Sequence, residues 1–185
     1  MTNIEQLVSE FRDYVNDPPI QSQPRGDRGR WLRICSSMDA IEDAELAIAA
    51  YMKSEYPDAS GDLYLALYGL LQSLIIQQDA AKELLQSLGI DIHWEDFLRL
   101  KDIRAIRNRA LHPTEYKSGR KTMRSIKHIF LVRVALRKKS FELHETIPDA
   151  STEFQVYDTM DIIQDQALEI EKALRQGLQE LRTRD

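Results

Sequence analysis

Apolar residues recur every third or fourth position through most of the chain, and this period predicts its elements. Ile4, Leu7, Val8, Phe11, Tyr14 and Val15 follow Thr2 at that spacing, which predicts an amphipathic helix capped by Thr2 and stopped by Pro18 and Pro19. A polar loop carrying Pro24 and Gly26 leads to about Arg28. Trp31, Ile34, Met38, Ile41, Ile48 and Met52 mark a second helix that must end before Pro57. Ser60 or Asp62 caps a third, whose stripe runs from Leu63 through Leu67, Leu70, Leu74, Ile75, Ala81 and Leu85 to Leu88 and closes at Gly89. Gln77, Gln78 and Asp79 fall on what reads as its polar side. A fourth helix is expected from near Glu95, through Phe97, Leu98, Ile103 and Ile106, to Pro113.

The period then changes. Ile126 to Leu136 is rich in β-branched and aromatic residues, and Ser140 to Ile147 alternates Phe141 and Leu143 with Glu142 and His144, which predicts a hairpin turning at Arg137, Lys138 and Lys139. Asp158 leads the last helix, with Met160, Ile163, Ala167, Ile170, Leu174, Leu178 and Leu181 on one face. The expected fold class is mostly α: one domain over residues 1–185, an antiparallel bundle of about five helices with a loop and β-hairpin insertion at 114–157 before the last helix.

Composition narrows the setting. Charged residues make up 30% and hydrophobic ones 43%, with 7 Gly and 6 Pro, the balance of a helix-rich globular domain. The single cysteine, Cys35, has no internal partner and sits in an apolar helical pattern, which suits a reducing compartment and a core role. Met1 to Glu10 carries Glu5 and Glu10 without a basic run, so no secretory signal is read, and Leu63 to Ile76 is too short to span a bilayer. The expected location is therefore cytoplasmic, without membrane contact.

The formal net charge of −5 conceals a segregation. Residues 99–139 hold fourteen Lys and Arg against Asp102 and Glu115, a window of +12 that leaves −17 elsewhere. Such a window can form a surface that collects phosphates, although the nine acids and no bases of residues 142–171 could instead neutralise it. Only Tyr116 and Phe130 interleave the basic window as aromatics, so no base-stacking platform is evident.

The chemistry-bearing stretch is Ile106-Arg107-Asn108-Arg109-Ala110-Leu111-His112-Pro113. At about 100° per residue, Arg107 and His112 would point about 140° apart on a straight helix, so a shared site needs a break. Pro113 supplies one by disfavouring helical geometry at His112, and Asn108, one turn earlier, could then hydrogen-bond the His112 ring. Arg104, Arg107, Asn108 and Leu111 form one face, whereas Ile103, Ile106 and Ala110 form the core stripe. Taken alone, an Arg and a His five apart read as a chance pair, with His112 a histidine favoured by the helix dipole at a C-terminus. His93, His128 and His144 lie at no metal-ligand spacing, and no glycine-rich phosphate loop or nucleophile elbow is present.

The Arg-Asn-(three residues)-His-Pro stretch on a late helix, with the long third helix containing Leu67 to Gln72 (Leu-Tyr-Gly-Leu-Leu-Gln), resembles the HEPN superfamily. The resemblance covers about residues 1–113 and 158–185, with the hairpin as an insertion. It implies a homodimer in which two motifs meet at a composite, metal-independent ribonuclease site needing no cofactor. On that resemblance Arg107 binds the scissile phosphate, His112 transfers protons and Asn108 holds the geometry; the basic window adds Lys101, Arg104, Arg109, Lys121 and Arg124 as the expected phosphate-binding residues. RNA and a second copy are then the expected partners, and a toxin or antiphage defence effector with an antitoxin the expected context. Some members carry a modified Tyr two residues after the His; Thr114 stands there, with Tyr116 displaced by two, so that control is not expected. A non-catalytic HEPN dimer that binds nucleotide or RNA, and a helical protein-interaction domain, are the competing expectations.

Overall fold

The computed structural model describes residues 2–17, 27–112, 114–116, 126–146 and 152–184. Among them are five α-helices: α1 Asn3–Asn16, α2 Arg28–Lys53, α3 Gly61–Ser87, α4 Leu98–Leu111 and α5 Thr159–Arg184. No helix is long and apolar enough to cross a membrane among these residues. The prolines expected to stop the first helix, Pro18 and Pro19, lie outside the described residues, as does Pro113.

Local chemistry sets the helix starts. Thr2 accepts from the Glu5 amide at 3.1 Å while the Glu5 carboxylate accepts from the Thr2 amide at 2.7 Å, a reciprocal capping box. Of the two candidates before α3, Ser60 is the cap, its hydroxyl accepting from the Leu63 amide at 3.1 Å. Gly89 takes φ +74°, the left-handed geometry that closes α3 without a Cβ penalty. The Asp158 carboxylate accepts from the Met160 and Asp161 amides and starts α5.

Cross-helix contacts fix the directions. Arg30 reaches the Ser87 carbonyl while Glu45 meets Gln77, and Gln72 meets Arg107 while Asp79 meets Arg104, so α2 with α3 and α3 with α4 run antiparallel. Arg12 ties α1 to α2 through Asp39 and Glu42, and Arg99 ties α4 to α5 through Asp165. Asn3 with Glu171 and Glu10 with Arg182 place α5 parallel to α1. Two apolar clusters fill the bundle. One joins α1, the first half of α2, and the later parts of α3 and α5 around Phe11, Ile34, Leu84 and Leu174. The other joins the end of α2, the start of α3, α4 and the sheet around Leu67, Leu74, Ile103 and Phe141.

Gln77, Gln78 and Gln166 form a buried polar chain. Gln78 Nε2 donates to Gln166 Oε1 at 2.9 Å, Gln166 Nε2 donates to Gln77 Oε1 at 3.0 Å and to the Leu74 carbonyl at 2.9 Å, and Gln77 Nε2 donates to Glu45 Oε1 at 2.6 Å. Gln77 and Gln78 therefore do not form the polar face expected of them; the bundle buries them because they satisfy one another. Gln78 also donates to the Leu100 carbonyl at 3.3 Å, which ties α4 to this chain.

The insertion is larger than a hairpin. It is an antiparallel sheet in the order β1-β2-β3-β4: β1 Thr114–Tyr116, β2 Ile126–Leu131, β3 Ser140–Thr146 and β4 Thr152–Asp158. The expected first strand is cut short: after Leu131 the chain makes a 3₁₀ turn at Arg133–Ala135, and Leu136 is buried. The reversal does fall at Lys138 and Lys139, where Arg137 and Ser140 exchange backbone hydrogen bonds. No glycine is needed there, because the Tyr51 and Thr159 hydroxyls donate to the Lys138 carbonyl at 2.6 and 2.9 Å and the Thr159 amide donates to the Lys139 carbonyl at 2.9 Å. Burial pushes the Tyr51 phenol above its ordinary pKa. The fourth helix also starts later than expected, since Glu95 and Asp96 lie in a 3₁₀ turn, Trp94–Asp96, ahead of α4. Met160, expected on the buried face of the last helix, is exposed at its first turn.

Candidate functional site

α4 presents its chemistry because its apolar residues leave one face free. Leu100, Ile103 and Ala110 are buried against the two cores and Ile106 packs on the second, so the motif side chains are pressed outward. The helix ends at Leu111, and His112 takes φ −119° and ψ 93°, extended geometry, while its amide still donates to the Asn108 carbonyl at 2.9 Å. This change of direction brings the ring back over the preceding turn, and His112 Nε2 lies 3.4 Å from an Arg107 terminal nitrogen. The contact is a hydrogen bond donated by the guanidinium when Nε2 carries no proton, which leaves the proton on Nδ1.

Arg107 is held from three sides. Its Nε and one terminal nitrogen donate to Gln72 Oε1 at 3.2 and 2.6 Å, and its other terminal nitrogen donates to Asn108 Oδ1 at 2.9 Å. Asn108 thus orients the arginine, where sequence reasoning placed it on the histidine ring. Gln72 was not assigned a role from the sequence, although it is one of the polar interruptions in the apolar run of α3. Among the described residues no carboxylate pairs with Arg107, and its guanidinium lies beside an exposed imidazole.

The other expected phosphate ligands are placed differently. Arg109 turns to the sheet, donating to Tyr157 Oη at 2.7 Å, Gln155 Oε1 at 2.8 Å and Glu145 Oε2 at 3.3 Å. Both ions of the Arg109–Glu145 pair are largely buried, and burial raises the Tyr157 phenol pKa although the Arg109 charge opposes it. Arg109 is a strut between α4 and the sheet and is not available to bind phosphate; the acidic segment neutralises it, as it neutralises Arg99 through Asp165. Arg104 pairs with Asp79 at 2.5 Å and Lys101 with Glu95, and these four ions stay substantially exposed. The hydrogen bond and charge of Lys101 hold the Glu95 carboxyl below its ordinary pKa. Lys121 and Arg124 lie outside the described residues.

Among the described residues no three His, Cys, Asp or Glu side chains are grouped to hold a metal ion. His93 and His128 are exposed on the surface, and His144 stands between Phe130 and Phe154, its Nε2 2.8 Å from Glu142 Oε1. Phe130, His144 and Phe154 come from β2, β3 and β4 and share one face of the sheet, an aromatic row that only strand pairing assembles. Comparison of the chain with protein-family models, with curated proteins and with solved structures returns no match.

Proposed function

We propose that this chain is a metal-independent endoribonuclease of HEPN type that acts as a homodimer, with Arg107 and His112 of each copy facing one scissile phosphate. The observation that carries the reading is a guanidinium with no acidic partner among the described residues, fixed by Gln72 and Asn108 and set 3.4 Å from the imidazole nitrogen. A counter-ion would compete with phosphate, whereas neutral acceptors orient the fork and leave its charge for the ligand.

The reaction that fits is attack by the RNA 2′-oxygen on the adjoining phosphorus. A new P–O2′ bond forms and the P–O5′ bond breaks. His112 of one copy accepts the 2′-hydroxyl proton, and the second copy's His112 supplies a proton to the departing 5′-oxygen. One imidazole cannot do both in the same step, which is the chemical reason for a pair. Arg107 donates to the phosphoryl oxygens as their charge grows. The products are a 2′,3′-cyclic phosphate and a 5′-hydroxyl.

The test is incubation of the purified chain with mixed RNA in excess EDTA, beside His112→Ala and Arg107→Ala. Cleavage by the wild type, abolished in both variants and ending in cyclic phosphate, supports the enzyme. Binding without cleavage by the wild type points to a nucleotide-binding or regulatory module, and neither activity leaves a protein-interaction domain. Sedimentation at micromolar concentration checks the assembly, where a monomer would contradict the paired site.

A further inference from the structure

Along the groove between α3 and α4 lies an open cleft of about 300 Å³ whose nearest wall residue to Arg107 along the helix, Arg104, stands about one turn before it. Lys82, Lys101 and Arg104 supply cations to it, Asp79 and Glu95 supply acids, and Trp94 forms an aromatic wall. Arg104 precedes Arg107 by three residues, and Lys101 precedes Arg104 by three. At about 1.5 Å of rise per residue, the cations therefore step away from the site along α4 in increments of about 4.5 Å.

We infer that this cleft holds the nucleotide adjoining the scissile phosphate of a single-stranded RNA, its phosphate taken by Arg104 and Lys101 in place of Asp79 and Glu95 and its base set against Trp94. The inference rests on the ribonuclease reading of the neighbouring site and adds to it a substrate class and a second contact point.

Three observations converge. The carboxylates that occupy Arg104 and Lys101 are themselves exposed, and ion pairs of that kind hold weakly, so a phosphodiester can displace them at little cost. Once they swing aside, three cations face the cleft, with Lys82 adding to the two on α4. Trp94 is firmly backed: its ring lies 5.4 Å from that of Phe97, which is buried and covered by the Lys172 ammonium at 4.9 Å. A half-buried, immobilised indole beside a cationic groove is the arrangement that stacks an unpaired base. A base within a duplex would have to unstack and unpair to enter a side cleft, so the cleft favours a single strand.

Asp79 and Glu95 are then placeholders, and removing either should strengthen binding. The experiment uses full-length His112→Ala protein, which binds without cleaving, carrying also Trp31→Phe so that Trp94 is its single indole. Titration with a single-stranded oligoribonucleotide should quench Trp94 emission, a duplex of the same sequence should not, and Asp79→Asn should tighten binding on the order of fivefold. In the active background Asp79→Asn should lower KM for the oligonucleotide and Trp94→Leu should raise it. Oligonucleotide binding with silent Trp94 emission, or weaker binding by Asp79→Asn, overturns the cleft while leaving the cleavage site standing. Adenosine monophosphate binding as tightly as the oligonucleotide would make the cleft a free-nucleotide site and likewise overturn it. A wild type that neither binds nor cleaves RNA removes both the cleft and the ribonuclease reading.

Discussion

Replacing Gln166 by Leu tests how the polar chain through the bundle is held. Gln166 makes three hydrogen bonds, at 2.9, 2.9 and 3.0 Å, and is 1% exposed, so water cannot replace what is lost. The Leu74 carbonyl remains within the helical ladder of α3 and loses little. Gln77 Oε1 loses its donor, and Gln78 Nε2 keeps only the 3.3 Å contact with the Leu100 carbonyl. A buried polar group left unsatisfied costs about 1–3 kcal/mol, and one of the two here is only partly orphaned, so the expected loss is about 2–4 kcal/mol. For a chain of this size that lowers Tm by about 5–12 °C. Urea denaturation followed by circular dichroism reads it directly. Leu at positions 77, 78 and 166 together should cost well under the sum of the three single changes, because an apolar layer leaves few groups stranded. A loss below about 1 kcal/mol for Gln166→Leu, or additivity of the three, refutes the reasoning.

Other outcomes follow from the same geometry. Gln72→Leu should lower kcat for RNA cleavage by about 10- to 100-fold with Tm little changed, because Arg107 loses its orienting acceptor; Gln72→Glu should instead raise KM by placing a carboxylate on the phosphate ligand. Gly177→Ala should destabilise by about 1–3 kcal/mol, since a Cβ there would lie 2.3 Å from Leu85 Cδ2 and the gain in helix propensity offsets only part of that clash. Stability should fall as pH rises beyond about 10, the ordinary phenol value at which tyrosines in the unfolded chain ionise. The raised pKa of Tyr51 and Tyr157 keeps the folded state protonated longer, so the contribution is complete below that value and lost through the folded pKa. Tyr51→Phe should flatten part of that alkaline decline in a pH series of denaturation curves.

The helices were legible because each carries its own signal, an apolar stripe of period 3.6 closed by Thr2, Ser60, Gly89 or Asp158. β4 was not. In Thr152–Asp158 every residue is exposed except the half-buried Tyr157, and the apolar Phe154 and Val156 lie on the exposed face, so the strand lacks an apolar-in, polar-out alternation. The burial of Gln77 and Gln78 was equally unreadable, because their partner Gln166 lies 88 and 89 residues away and enters only through tertiary packing. At the site, the Arg107–His112 encounter was deducible from the bend at His112. Gln72 was not, since a lone glutamine in an apolar run gives no direction. Arg109 reads as a phosphate ligand because counting charge shows only that the acids of residues 142–171 can neutralise the basic window, not that Glu145 is the one that reaches Arg109, which the pairing of the strands sets.

The two apolar clusters have a consequence for how the chain comes apart. Amides of α1 and the carboxyl-terminal half of α5 are expected to open to deuterium with the first cluster, and those of the sheet and of α4 from Ile103 onward with the second. α2, α3, α4 and α5 each contribute to both clusters, and α3 contributes the most residues to the two together, which makes it the spine expected to melt last. The segment bearing Arg107 and His112 sits in the unit with the sheet, free to breathe while the opposite half of the bundle stays closed.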